Sequence, residues 1–271
     1  MMKNKIIVPT DFTDAANQAI AQAIVISRKA GSTLTLFHVI SSRDELADAG
    51  TKLNTKADSI RHNEGISCDV LIREGNLFDA IPQAVCEKDY DLMLIGTHGL
   101  QGIRQRVFGA DILKLISRIQ IPVMVVQEAS PLVENFRKIV LPVGGHDNFS
   151  LAADAGLLLA AIYPGLEVHF YSIHKPGFEW SKQMLANITE TTKKFEARGV
   201  QLIRIKEEQE GFSAGYASQT INYAHTTGAD AILIMSDASE EFHYMAKAYK
   251  ESVLLNEFHL PVLCAGGSKE N

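Results

Sequence analysis

Residues 91–127 read DLMLIGTHGLQGIRQRVFGADILKLISRIQIPVMVVQ. An apolar run at 91–95 ends in Gly96, Thr97, His98 and Gly99, and after nine intervening residues Gly109 opens a helical pattern that closes before Pro122. A second apolar run, 123–126, follows. The order is strand, glycine loop, helix, strand. Glycines just after a parallel strand let the backbone come close to a ligand, and a helix starting at Gly109 aims its free N–H groups and positive dipole end at the same point. Such a place suits an anion, phosphate above all. Arg104 and Arg106 lie in the loop and are available to the same anion.

Upstream the same alternation is found. Residues 6–9 form a buried-type strand, and after Thr10-Asp11-Phe12-Thr13 the residues Ala16, Ala19, Ile20, Ala23, Ser27 and Ala30 recur at helical spacing. Thr13 is the expected N-cap of that helix and Gly31 its stop. Residues 34–40 are the second strand. The segment 41–64 is helical, with Leu46, Ala49, Leu53, Ala57 and Ile60 on one face, and 68–72 is the third strand. A helix toward Glu87 follows, disturbed by Pro82. This alternation implies a parallel sheet covered by helices on both faces, with ligands bound beyond the carboxyl ends of the strands where the strand order reverses.

The pattern then repeats. A polar stretch containing Pro131 separates the copies, and Lys138-Ile139-Val140-Leu141-Pro142 lies over Lys5-Ile6-Ile7-Val8-Pro9 at a shift of 133, a register expected to hold to Ile173. Residues 230–234 lie over 91–95 at a shift of 139, so six residues are gained, expected within 178–214. The domains expected are 1–128 and 137–268, joined by a linker at 129–136. In the second copy Gly96 becomes Met235, Gly99 becomes Ala238, Gly109 becomes Ala248, Ala110 becomes Tyr249 and Asp11 becomes Gly144. A methionine and a tyrosine where a phosphate would approach the backbone fill the space, so the second copy is expected to keep the fold and lose the site.

The composition is that of an ordinary globular protein, and a net charge of -6 gives no general reason to expect nucleic acid or an anionic membrane as partner. No apolar stretch reaches the roughly 18 residues of a membrane helix. Cys68, Cys86 and Cys264 are too few and scattered for a disulfide framework or a zinc motif, and the histidines show no metal-ligand spacing. Together these lead us to expect a cytoplasmic location. Neither Gly-x-Ser-x-Gly nor a Walker Gly-Lys-Ser/Thr run occurs, and a nucleotide binder without a phosphate-activating lysine or an evident base is expected to be a sensor or carrier, not an enzyme.

The spacing Gly96-x-x-Gly99-x9-Gly109 resembles the nucleotide signature of the universal stress protein family, in a tandem two-domain form. The resemblance implies two doubly wound five-stranded α/β domains of strand order 3-2-1-4-5, with ATP, and Mg carried with it, in the first. It implies that Asp11 contacts the ribose and adenine side and that the backbone of Val39 holds adenine. Gly96, His98, Gly99, Gly109 and Ala110 are left for the phosphates. Ala110 departs from the family pattern, which has Ser or Thr there, and a lost hydrogen bond to a charged group is worth about 1.5–3 kcal/mol. The resemblance also implies an internal pseudo-dimer through the fifth strands, 123–126 and 262–265, with further homodimerisation and an unidentified protein partner open to it. Two alternatives stand beside the ATP-binding regulator: an interaction protein that binds no nucleotide, and a slow nucleotide hydrolase.

Overall fold

The computed structural model describes residues 4–97, 109–174, 177, 179–208, 215–237 and 247–266. In the first half the elements are β1 (Lys5–Pro9), α1 (Asp14–Ala30), β2 (Thr33–Ile40), α2 (Leu46–Glu64), β3 (Cys68–Glu74), α3 (Leu77–Glu87), β4 (Leu92–Thr97), α4 (Gly109–Ile116) and β5 (Val123–Gln127). In the second they are β6 (Lys138–Pro142), α5 (Ser150–Ile162), β7 (Glu167–His174), α6 (Lys182–Glu196), β8 (Gln201–Glu208), α7 (Tyr216–Thr226), β9 (Ala231–Met235), α8 (Lys247–Leu254) and β10 (Val262–Ala265). Local chemistry explains the boundaries. Thr13 caps α1 by accepting from the Ala16 N–H at 3.3 Å, and Gly31 ends it in the left-handed conformation at φ 64°. Pro82 inside α3 removes the N–H that would bond the Phe78 carbonyl, and that carbonyl instead accepts from the Arg118 guanidinium at 2.5 Å.

The strands form a single ten-stranded sheet in the order β3-β2-β1-β4-β5-β10-β9-β6-β7-β8. Each half is parallel with the order 3-2-1-4-5, so the doubly wound architecture expected from the alternation is what the chain adopts. The halves join where β5 and β10 pair antiparallel, Val125 with Val262, Met124 with Leu263 and Val123 with Cys264. Leu263 is the repeat counterpart of Met124 at the 139 shift, and the flanking pairs are each other's mirror, so a pseudo-twofold axis passes through the Met124–Leu263 pair. One apolar layer packs α1, α2, α5 and α6 on one face of the sheet and another packs α3, α4, α7 and α8 on the opposite face. Both layers run across the seam without a break.

Side chains tie the linker to the seam. Gln22 of α1 is 1% exposed, donates to the Val133 carbonyl at 2.9 Å and accepts from the Val133 N–H at 2.8 Å. At the end of β5 the Gln127 amide donates to the Asn256 carbonyl at 2.9 Å, and Ser130 donates to the His259 carbonyl at 2.7 Å. Replacing Gln22 by Leu keeps the volume and strands both Val133 backbone groups in a dry place, so we expect a loss of about 2 kcal/mol. Urea unfolding together with limited proteolysis at the linker checks this, and an unchanged midpoint would count against the clamp.

One feature of the repeat is corrected. Lys138 pairs with Glu167 in β7 where Lys5 pairs with Thr33 in β2, so β7 stands 134 residues after β2, not 133, and Gly165 likewise follows Gly31 by 134. That shift persists to Glu208, the counterpart of Glu74, whereas Tyr216 follows Leu77 by 139. One of the gained residues therefore lies between β6 and β7, and five between β8 and α7, where 209–214 fall outside the described residues. A one-residue slip exchanges the faces of a strand, and only the packing resolves it. Phe37 and Tyr171 share one apolar layer, Leu36 and Phe170 the other.

Candidate functional site

The first half places the carboxyl ends of β1 and β4 side by side, with Asp11 beyond the first and Gly96 and Thr97 closing the second. The loop after β1 is internally hydrogen-bonded. The Thr10 N–H donates to the Phe37 carbonyl at 2.8 Å, the His38 ring donates from Nδ1 to the Thr10 carbonyl at 2.6 Å, and Thr10 Oγ1 accepts from the Phe12 N–H at 3.1 Å. Phe12 takes the left-handed conformation, φ 66°, unusual for a bulky residue, and its ring lies 4.7 Å from that of His38. Asp11 is exposed, and its Oδ1 accepts from the Thr13 hydroxyl at 2.6 Å and the Thr13 N–H at 3.1 Å. One oxygen of this carboxylate fastens the turn that caps α1, and the residue stands exposed just beyond the end of β1.

Val39 is half-buried, and the register explains its value. Pairing of β2 with β1 ends at Pro9 with Phe37, while Val39 still pairs with Arg73 of β3 on its other side. Alternate residues of a strand turn their backbone groups to the same neighbour. Val39, two beyond Phe37, therefore presents its N–H and C=O toward β1, which has already turned away. Among the described residues this leaves one donor and one acceptor free beyond the end of β1.

Gly96 is used differently from the expectation that it lets a ligand approach. A Cβ there would stand 2.1 Å from the Ala15 carbonyl oxygen and 2.7 Å from the Ala16 nitrogen. The missing side chain makes room for the first turn of α1 on β4, which fixes the Asp11 turn. Gly109 and Ala110 open α4, whose first N–H groups lack intrahelical partners, and their side chains are not described. His98, Gly99, Arg104 and Arg106 lie outside the described residues, as does Ala238.

The corresponding corner of the second half is built differently. Met235, in the place of Gly96, is 1% exposed, and α5 starts eight residues beyond Pro142 whereas α1 starts five beyond Pro9. With a side chain on the strand, the residues before α5 take tighter turns, the Phe149 N–H donating to the His146 carbonyl at 3.3 Å and the Leu151 N–H to the Asn148 carbonyl at 3.0 Å. Tyr249 is buried with its hydroxyl 3.3 Å from that of Thr220. Beside it lies a group of polar residues that the internal alignment did not single out. Lys250 is 2% exposed and His146 3% exposed. The His146 ring donates from Nε2 to the Asp237 carbonyl at 3.0 Å, Asn148 donates to the Asp237 carboxylate at 3.1 Å, and Asn187 donates to the carbonyls of Gly144 and His146 at 2.8 and 2.9 Å. Burial, opposed by the Asp237 and Cys264 charges, brings the Lys250 amine down to about 8; burial and the Lys250 charge bring His146 down to about 4. The one signal in the sequence was a lysine at the repeat position of Asp111.

Among the described residues no group of His, Cys, Asp and Glu could hold a metal ion, and no helix is long and apolar enough to cross a membrane. A cavity of about 770 Å³, lined by linker residues with Arg137, Glu167 and Asp230, opens at the opposite ends of the strands, away from both corners.

A doubly wound sheet whose strand order reverses between β1 and β4, repeated across an antiparallel seam, defines a tandem α/β protein. Residues 2–127 match the universal stress protein family, and the first half of the chain belongs to it. The whole chain shares its fold with a universal stress protein from Archaeoglobus fulgidus, at 15% identity over 100% of this chain and 98% of that one, TM-score 0.73. It also shares it with a functionally unknown protein from Pseudomonas aeruginosa, at 20% identity over 96% and 92%, TM-score 0.59. No curated protein matches the chain.

Proposed function

We propose that the first half binds ATP and that the chain is a cytoplasmic stress-response regulator, not an enzyme, whose surface toward a protein partner depends on that occupancy. The observation that carries this reading is the backbone edge at Val39: a donor and an acceptor, unclaimed by β1, lie past the point where β1 turns into the Asp11 loop. Adenine offers a matching acceptor and donor on one edge, Asp11 stands where a ribose hydroxyl would donate, and the first N–H groups of α4 would meet the phosphates. With no protein metal cluster among the described residues, magnesium would be held by the phosphates themselves. Ala110 supplies no hydroxyl, which weakens phosphate binding by about tenfold to a hundredfold.

A second reading draws on Gly96. Its missing side chain is fully used by α1, so this glycine would be required even in a chain that binds no nucleotide and acts through protein contacts alone. Calorimetric titration of ATP into the full chain separates the two. One site is expected, lost in Gly109→Arg and tightened about tenfold in Ala110→Ser by the restored hydrogen bond. Absence of binding at millimolar ATP establishes the second reading, and accumulation of ADP over hours would overturn the non-enzymatic one.

A further inference from the structure

The sheet has two outer strands, β3 and β8. β3 pairs with β2 on one side, from Leu34 with Cys68 to Ile40 with Glu74, and with no strand on the other among the described residues. Two hydrogen bonds fix which of its backbone groups face inward. The Ser67 carbonyl accepts from the Leu34 N–H at 2.9 Å, and the Gly75 N–H donates to the Ile40 carbonyl at 3.0 Å. By alternation the odd-numbered residues serve β2, while Cys68, Val70, Ile72 and Glu74 turn their N–H and C=O groups outward. The Arg61 guanidinium of α2 takes the Cys68 carbonyl, its Nε donating at 2.8 Å. At Val70 and Ile72 nothing among the described residues claims the outward groups. Such an edge is a template for another strand.

We propose that β3 docks a second copy of this chain, β3 against β3, antiparallel about a twofold axis through Leu71. The strand, CDVLIRE, is complementary to its own reverse. In that register Val70 lies opposite Ile72 as a hydrogen-bonded pair, and these are the residues whose groups point outward. Asp69 lies opposite Arg73 in the adjoining non-hydrogen-bonded pairs, where side chains come closest. The twofold makes each match occur twice. Asp69 is exposed, and Arg73, which spends part of its fork on Glu87 of α3, keeps further N–H groups for the Asp69 of the second copy. The opposite edge of the sheet is built against such pairing. β8, with Glu208 in the place of Glu74, carries Arg204 and Lys206 where β3 has Val70 and Ile72, so pairing about Ile205 would set Arg204 against Lys206 twice. With one edge open to a copy and the other opposed, assembly closes at a dimer and does not grow into a filament. This contact is separate from the seam, which occupies β5 and β10 within the chain.

Sedimentation velocity on the full chain without nucleotide is expected to show a monomer–dimer equilibrium. Asp69→Arg sets like charges opposite each other at both pairs and is expected to weaken the dimer by more than about tenfold, as is Arg73→Asp. An equimolar mixture of the two variants, in which each charge meets its opposite, is expected to dimerise again. In the wild-type chain the Val70 and Ile72 amides are expected to gain protection from hydrogen exchange as concentration rises, with those of Arg204 and Lys206 unchanged, a readout that needs no variant to fold. A chain that stays monomeric up to millimolar concentration overturns the proposal. A dimer that survives Asp69→Arg unweakened, or that leaves the Val70 and Ile72 amides exchanging as in the monomer, places the contact elsewhere and overturns it equally. The outcome is independent of ATP binding, and Gly109→Arg is expected to leave the dimer unchanged.

Discussion

Gly96→Ala is expected to lower the unfolding free energy by about 3 kcal/mol or more, beyond the ordinary range for a surface glycine. The added methyl would enter the Ala15 carbonyl at 2.1 Å, and the atoms it meets are backbone, with no rotamer to escape into. β4 cannot retreat, because β1 and β5 hold it on both sides. α1 cannot retreat without losing its first turn, which is what the second half has done where Met235 replaces this glycine and α5 begins late. The substitution should therefore also loosen the Asp11–Thr13 turn, so that nucleotide affinity falls with stability. Urea unfolding gives the first effect and ATP titration the second. A change of less than about 1 kcal/mol would show that α1 slides along β4 easily, and would remove the packing explanation for the late start of α5.

Lys250→Met should act in the opposite direction, raising stability by about 3 kcal/mol at neutral pH. In the folded chain the amine is held near 8 against an ordinary value of 10.5. Below pH 8 both folded and unfolded chains carry the charge, and the fold bears the full cost of burying it. Between about 8 and 10.5 the unfolded chain binds the proton and the folded chain does not, so wild-type stability rises with pH relative to the variant. The advantage of methionine should fade across that window and vanish above it. Tyr249 and Cys264, both pushed up to about 12 by burial, favour their neutral forms in the fold and act in both proteins, so they largely cancel in the difference. At the acid end, His146 is held near 4 against 6.5, and stability is lost as pH falls through that interval. Removing the Lys250 charge should make this loss smaller. Paired urea curves at several pH values measure all of this, and a pH-independent difference between the two proteins would mean that Lys250 is not buried as a cation.

Much of the architecture was legible from residues 91–127 and their repeat, because a strand's apolar run, a helix's 3.6-residue spacing, a threonine N-cap and a glycine stop are local signals written in neighbouring letters. Thr13 and Gly31 do what their types suggest, and Val123–Gln127 with Val262–Ala265 form the seam. The six-residue difference between the copies was legible as a total but not in its placement. A single residue gained before β7 leaves an apolar pattern nearly as good in either register, and only the two packed faces of the sheet tell them apart. At the site, the sequence marked Asp11, Val39 and Gly96, but the edge at Val39 exists only because β1 ends opposite Phe37, three residues before β2 does.

By itself, then, the sequence determined that the chain is a duplicated alternation of strands and helices, with glycines kept in one copy and replaced in the other. The tertiary structure decided that Gly96 makes room for a helix and that Lys250 is buried with no hydrogen-bond partner among the described residues. Both depend on atoms brought together from distant parts of the chain, Ala15 against Gly96 and His146 beside Lys250. Close packing and the exclusion of water are properties of that assembly, and no periodicity along the chain encodes them.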